Sequence, residues 1–344
     1  MNTYRIIASA CRLLLWCCLI TSSTKVRAKH PFAAPLVTSL TNPAVPYRSV
    51  ELHHYETRRE DTTAIFVDNE AVDRDGLPGH RAGYNGLASL VRSNHAANLF
   101  VPKYAGLNFE HIHDGTSEGL KEKFEPRRFP IELRVINDHT IELYQPPTGN
   151  WRLESCGRYE MLPDGTIEYT FECIPRAGGY RNGYIGLFWA SYINQPEDKS
   201  IHFLGRRAGT TESPRWIRGV TPKHGVASTH PPANETREIH VDPAFPLSLV
   251  GNRSRFVHTD SWYFGVSRSM ALVMMFRPQD QIWFAQSPSG GGDGNPAWDF
   301  QWFISDYEVD EAYGFRMRAA YLPFESREQN ERATRNHRAA IRSE

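Results

Sequence analysis

The sequence predicts an all-β protein built as one large antiparallel sandwich. Three observations carry this. Short runs rich in β-branched and aromatic residues recur along the chain, each closed by Gly, Pro, Asn or Asp. No stretch before residue 325 repeats its apolar residues with a helical period. Aromatics make up 12% of the 344 residues, with eight Trp and 15 Tyr, enough large rings to fill a core between sheets.

Residues 1–28 are set apart. Arg5 and Arg12 precede the apolar run Leu13–Ile20, and Val26-Arg27-Ala28 follows as a small-residue cleavage site. This layout predicts a signal peptide removed after Ala28 and a secreted or periplasmic protein. The run is shorter than the roughly 20 apolar residues a membrane helix needs, so no membrane span is expected. Trp16 before Cys17 argues against a lipid-attachment site. Residues 29–44, rich in Pro and Ala, form an extended lead-in, and residues 45–324 form a single β domain. Its strands are expected at 48–55, 64–67, 87–91, 107–113, 131–136 and 140–144. After a central hairpin they continue at 184–193, 200–204, 238–241, 262–266, 270–277, 282–287, 299–304 and 313–321. In the last, Phe315, Met317, Ala319 and Tyr321 alternate with a more polar face. Residues 205–237 read as an ordered surface excursion, and 325–344 as a charged tail, a solvated helix or disorder.

Lys+Arg and Asp+Glu both number 39, so nothing in the net charge favours nucleic acid. Beyond the leader, Cys156 and Cys173 are the only cysteines. They flank the turn Pro163-Asp164-Gly165, where Pro presets one dihedral and Gly supplies a positive φ. A two-residue loop would set the cysteines opposite each other. A three-residue loop with a bulge turns them to opposite faces. Pro163 suits the three-residue loop, so no disulfide is expected.

The hairpin and the strand after it, LESCGRYEMLPDGTIEYTFECIPRAGGYRNGYIGLFWASYIN over residues 153–194, resemble the middle of galactose-mutarotase-like proteins. There, a Y-x-L-x-x-D-G-x-I-x-Y-x-F hairpin leads into a strand of sugar-contacting residues. The resemblance implies a galactose-mutarotase-like β-supersandwich and a protein that handles carbohydrate; it points to a superfamily and not to an activity. In the aldose 1-epimerases of that family the strand reads Asn-His-Ser-Tyr-Phe-Asn, and its His protonates the ring oxygen. Ser191, Tyr192 and Asn194 match this pattern, but the His position falls on Ala190 and its Asn neighbour on Trp189. Alanine has no proton to transfer.

Three segments carry candidate site residues. In Asn108-Phe109-Glu110-His111-Ile112-His113-Asp114, strand alternation places His111 and His113 on one face and Asn108 and Glu110 on the other. The two imidazoles suit proton transfer, with His113 preferred because Asp114 adjoins it. They are also a beginning of a metal site, but no third ligand follows at fixed spacing and no metal or cofactor is assigned. The second segment offers Trp189 as a ring for a sugar face and Tyr192 as a polar contact. The third is the Gly-rich stretch 286–301, which ends in Trp298, Asp299 and Gln301 and lacks the Gly-Lys-Ser/Thr of a phosphate loop. Asp299 is the expected partner carboxylate, Trp298 a second stacking ring and Gln301 a ligand amide. His224, in the excursion, joins them. No Gly-x-Ser-x-Gly elbow and no His-Glu-x-x-His motif occurs. The expectation is a saccharide cleft on one sheet, worked by a His/carboxylate pair as epimerase, glycosidase or lyase. The alternatives are a non-catalytic sugar-binding or cell-surface protein and, third, a metal enzyme using His111 and His113. Oligomeric state is left open.

Overall fold

The structure, a computed structural model, describes residues 30–74, 76–118 and 120–343, so the expected leader lies outside the described residues. In chain order the elements begin with β1 (Arg48–Ser49), β2 (His54–Arg59), β3 (Thr62–Val67), β4 (Gly86–Arg92), β5 (Asn108–His113) and the one-turn helix α1 (Glu125–Arg128). Next come β6 (Glu132–Asn137), β7 (Thr140–Gln145), β8 (Leu153–Met161), β9 (Ile167–Pro175), β10 (Tyr184–Ala190), β11 (Ile201–Arg207), β12 (Arg215–Gly219), β13 (Thr229–His230) and the one-turn helix α2 (Ser248–Gly251). The chain ends with β14 (Phe256–Ser267), β15 (Met270–Phe276), β16 (Trp283–Ser287), β17 (Ala297–Ser305), β18 (Tyr313–Pro323), α3 (Arg327–Ala333) and α4 (Arg335–Ser343).

A ten-stranded sheet runs β1-β6-β7-β8-β9-β18-β15-β14-β11-β12, a five-stranded sheet β13-β16-β17-β10-β5, and a three-stranded sheet β2-β3-β4. Every strand pair is antiparallel, as the turn-punctuated sequence predicts. The central hairpin closes through Leu162 N–H to the Thr166 carbonyl (2.7 Å) and Gly165 N–H to the Leu162 carbonyl (2.9 Å), with Gly165 at φ +81°. This is the three-residue loop. Cys156 therefore pairs with Glu172 and Cys173 with Ser155, and both cysteines are free. Residues 238–241 are not a strand. The His240 carbonyl there accepts from the Tyr184 hydroxyl (2.7 Å) and the Asn182 amide (3.1 Å), side-chain bonds where a strand would have a ladder.

Strand alternation sorts the core. Ile185, Leu187 and Trp189 of β10 and Trp298, Phe300, Trp302 and Ile304 of β17 enter the main hydrophobic cluster. Phe188, Ala190 and Phe303 belong to a second cluster on the sheet's opposite side. Trp189 lies at the centre of the first cluster. It stacks on Phe109 (4.9 Å) and Phe300 (5.1 Å) of its own sheet, and meets Phe171 (4.9 Å) and Phe315 (5.0 Å) of the ten-stranded sheet edge-on. Its Nε1–H donates to the Tyr169 hydroxyl at 3.1 Å. Trp298 lies over Gly265, where a Cβ would come within 2.4 Å of the ring, and donates to the Lys199 carbonyl at 3.1 Å. Both rings are fully buried. This corrects their expected role: neither offers a face to a sugar.

The outer face of the ten-stranded sheet is covered at both chain ends. Glu142 and Glu172, each with no exposed surface, accept hydrogen bonds from segment 37–41. Glu172 takes the Val37 N–H (2.9 Å) and the Thr38 hydroxyl (2.5 Å); Glu142 takes the Ser39 N–H (3.0 Å) and an ion pair from Arg158 (2.7 Å). The tail also docks. Ser326 caps α3 by accepting from Gln329 N–H, Arg338 lies over Trp262 (4.6 Å), Arg327 over Trp216 (5.2 Å), and Ile341 is buried. The tail is thus an ordered helix pair held by cation–π contacts, which an apolar-stripe criterion does not detect.

Two stability outcomes follow from this packing. Trp189→Ala and Trp298→Ala should each cost about 3–5 kcal/mol in urea unfolding, the loss for a large core ring. A near-zero change in either would return that ring to the list of ligand contacts. Deleting residues 31–44 strips buried Glu172 of the donors in segment 37–41 and leaves Glu142 with Arg158, and should cost several kcal/mol, on the order of breaking a buried pair. An unchanged urea midpoint would contradict it.

Candidate functional site

The site begins with a register shift. Along β5 and β10, His113 pairs with Gly186, Ile112 with Leu187 and His111 with Phe188, but Trp189 pairs with Phe109. Glu110 is the extra residue of a β-bulge, and it resets the alternation. Phe109 and Ile112 enter the core, while Glu110 and His111, adjacent in sequence, both line the cleft. This corrects the expectation that Glu110 faces away from His111.

The cleft lies on the side of the five-stranded sheet away from the main core and encloses about 300 Å³. Glu110, His111, Phe188, Ala190, Tyr192 and Asp299 form its sheet wall. Tyr84, Lys123, Phe124 and Arg127 close one side; His224, Gly290 and residues 246–250 close the other. Glu110 accepts from Arg127 Nη1 (2.8 Å) and from the Tyr192 hydroxyl (2.5 Å). Arg127 is held flat on the Tyr84 ring (3.7 Å) and beside Phe124 (4.6 Å). Burial and then the Glu110 charge push the Tyr192 phenol well up, so it stays a donor.

His111 Nδ1 bonds the Lys123 carbonyl, which can only accept. The proton is therefore on Nδ1, and Nε2 keeps its lone pair, 3.6 Å from Glu110 Oε2. Burial lowers the imidazole pKa from its usual value, against the opposing pull of Glu110. Asp299 is fully buried; Oδ1 accepts from Ser191 N–H (3.1 Å), and among the described residues Oδ2 has no partner. Burial raises its pKa well above the usual carboxylate range. His224 Nδ1 lies 2.8 Å from the Ser287 hydroxyl, which fixes the ring at the cleft wall.

The structure thus brings together His111, Glu110, Asp299, Tyr192 and His224 and leaves the other expected residues outside. His113 has no exposed surface and packs against Gly186, Phe245 (5.2 Å) and Phe303 (6.0 Å). Neither ring nitrogen has a partner among the described residues, and burial lowers its pKa to about 3. It is a core histidine and not the proton-transfer group expected. Asp114 does not orient it: its carboxylate accepts from Thr116 N–H (2.9 Å) and Arg181 N–H (2.7 Å), closing a turn. Asn108 accepts from Asn85 N–H (3.1 Å), and the Gln301 amide bonds the Thr229 hydroxyl (3.3 Å) and the Val250 carbonyl (3.4 Å). None of these three lines the cleft; each is tied up in a structural hydrogen bond. Among the described residues no group of three or more His, Cys, Asp or Glu is placed to hold a metal ion. Sequence reading missed Tyr84, Lys123 and Arg127; no motif marks them, because long-range folding alone brings Arg127 between the Tyr84 ring and Glu110.

No family model and no curated relative matches the chain. Solved structures do. A galactose mutarotase-like protein from Lactobacillus casei is 9% identical, over 78% of this chain and 99% of that one, with a TM-score of 0.44. Galactose 1-epimerase from Lactobacillus acidophilus is 9% identical over 81% and 100%, at 0.40. A heparan sulfate lyase from Pedobacter heparinus is 10% identical over 83% and 37%, at 0.37.

The burial of His113 has a measurable sign. Its folded pKa, about 3, lies below the unfolded value near 6.5. The stability it contributes is complete above pH ~6.5 and is lost as pH falls, because the unfolded chain takes up a proton the native state refuses. Replacing it by His113→Leu should lower the proton uptake on unfolding by about one between roughly pH 6 and pH 4. An unchanged slope would mean that His113 titrates in contact with solvent.

Proposed function

We propose that the cleft binds a saccharide and that His111, backed by Glu110, moves a proton on it. The observation that carries this is the neutral Nε2 of His111, a cleft-lining residue, beside a carboxylate already fixed by Arg127 and Tyr192. A ligand hydroxyl at Nε2 gives up its proton to the ring, and the Glu110 charge stabilises the imidazolium that forms. The cleft volume is at the lower limit of small-molecule sites, about one sugar unit in scale. Tyr84, Phe124, Phe188 and Tyr192 supply aromatic surface for the C–H faces of a sugar, and Lys123 and His224 supply polar contacts at the rim. Export from the cytoplasm, as the leader implies, is part of the same proposal.

One observation favours a second reading. Ala190, which falls where the aldose 1-epimerase pattern has its acid, lines the cleft with a methyl group. A non-catalytic sugar-binding protein would need no acid there.

The two readings separate by experiment. In the enzyme, His111→Gln should lower turnover by about 10²–10⁴-fold with little change in melting temperature, while His113→Leu changes stability and spares kcat. Turnover should fall only below the lowered pKa of His111, at more acid pH than for a free imidazole. A wild type that binds sugars in calorimetry yet transforms none across a broad set of glycans and uronans leaves the binding protein. Activity that survives His111→Gln removes the role given to that residue.

A further inference from the structure

The least satisfied polar atom in the cleft wall is Asp299 Oδ2. Asp299 lines the cleft and has no exposed surface, and among the described residues its carboxyl holds a single hydrogen bond, from Ser191 N–H to Oδ1. A buried carboxyl oxygen without a partner is costly, more so when charged, so such an atom is retained where something else will engage it. Two kinds of ligand group can do so: a cation for an ionised carboxylate, or an acceptor for a protonated one.

The neighbours decide between them. Facing the cleft with Asp299 are Glu110 and His111 from β5, Tyr192 just after β10, His224, and Arg127 and Lys123 from the α1 segment. Tyr263 of β14 packs against it from the core, its hydroxyl on the Asp299 carbonyl (3.2 Å). The guanidinium is committed to Glu110 and the Gly83 carbonyl, and no cation pairs with Asp299 among the described residues. The negative Glu110 opposes a second negative charge. Ionisation is disfavoured from both directions, by burial and by charge.

We propose that Asp299 donates a hydrogen bond from Oδ2–H to an acceptor oxygen of the bound saccharide, and so selects sugars presenting an ether or hydroxyl oxygen there over amino sugars presenting an ammonium. The proposal rests on the saccharide reading of the cleft and names what that cleft distinguishes. Ala190 lines the same cleft with a methyl group and offers no competing polar partner.

Two measurements test it. Infrared difference spectra between wild type and Asp299→Asn at neutral pH should contain the C=O stretch of a protonated carboxyl that the variant lacks. Its absence overturns the proposal whatever the cleft binds. Calorimetry with neutral monosaccharides and with D-glucosamine follows. Asp299→Asn keeps a donor and should bind the neutral sugars within about threefold of wild type, whereas Asp299→Ala should lose roughly 10–100-fold, a lost hydrogen bond to a buried group. D-glucosamine should bind more weakly than its neutral counterpart. Loss of binding in a folded Asp299→Asn, or tighter binding of D-glucosamine, overturns the proposal. If no sugar binds the wild type while the infrared band is present, the saccharide reading fails, and with it the ligand named here; the acid itself stands.

Discussion

The contact on which the architecture depends is Trp189 between the two large sheets. Its ring is stacked within the five-stranded sheet and meets Phe171 and Phe315 of the ten-stranded sheet at steep angles. An indole in that position fixes the spacing of the layers and also the facing of β10. With Trp189 inward, Phe188 and Ala190 must point outward, and the cleft wall follows from that single choice. The hydrogen bond from its Nε1–H to Tyr169 removes the cost of burying the indole nitrogen.

A second constraint works beside it. The bulge at Glu110 keeps Phe109 stacked on Trp189 and still delivers two consecutive polar side chains to the same surface. A regular strand would have placed Glu110 in the core, where a carboxylate is untenable. The ion pair with Arg127 and the bond from Tyr192 then hold it at the edge of His111. The cleft thus sets a neutral imidazole beside a fixed carboxylate, and a neutral acid across from them, with burial separating their proton affinities.

Much of this was legible in the chain. Turn residues and period-two patterning give the antiparallel fold, and Pro163-Asp164-Gly165 gives the loop that separates the cysteines. His111, Asp299, Tyr192 and His224 are recognisable as chemistry-bearing residues. The choice of Trp298 as a ligand ring beside Asp299 fails for a reason also in the sequence: Trp298, Phe300, Trp302 and Ile304 alternate, so neighbouring Asp299 must face the other way. The bulge was not legible, since neither Gly nor Pro marks Phe109-Glu110-His111. Nor was the docking of the tail, whose contacts are guanidinium on indole, nor the Arg127 bridge, which depends on a fold already formed.

The last strand has a consequence for how the protein is made. β18 lies between β9 and β15 and joins the two halves of the ten-stranded sheet. Its first residues also pair with the start of the described chain, through Ala34 N–H to the Ala312 carbonyl (3.0 Å) and Gly314 N–H to the Phe32 carbonyl (2.8 Å). Without this strand the sheet falls into two parts, β1-β6-β7-β8-β9 and β15-β14-β11-β12, each with one newly open edge. Closing the sheet therefore joins residues 167–175 and 270–276 through residues 313–323, pairings distant in sequence and correspondingly slow. Until β18 inserts, the exposed edges of β9 and β15 are the places where a chaperone must act or where two unfinished copies join.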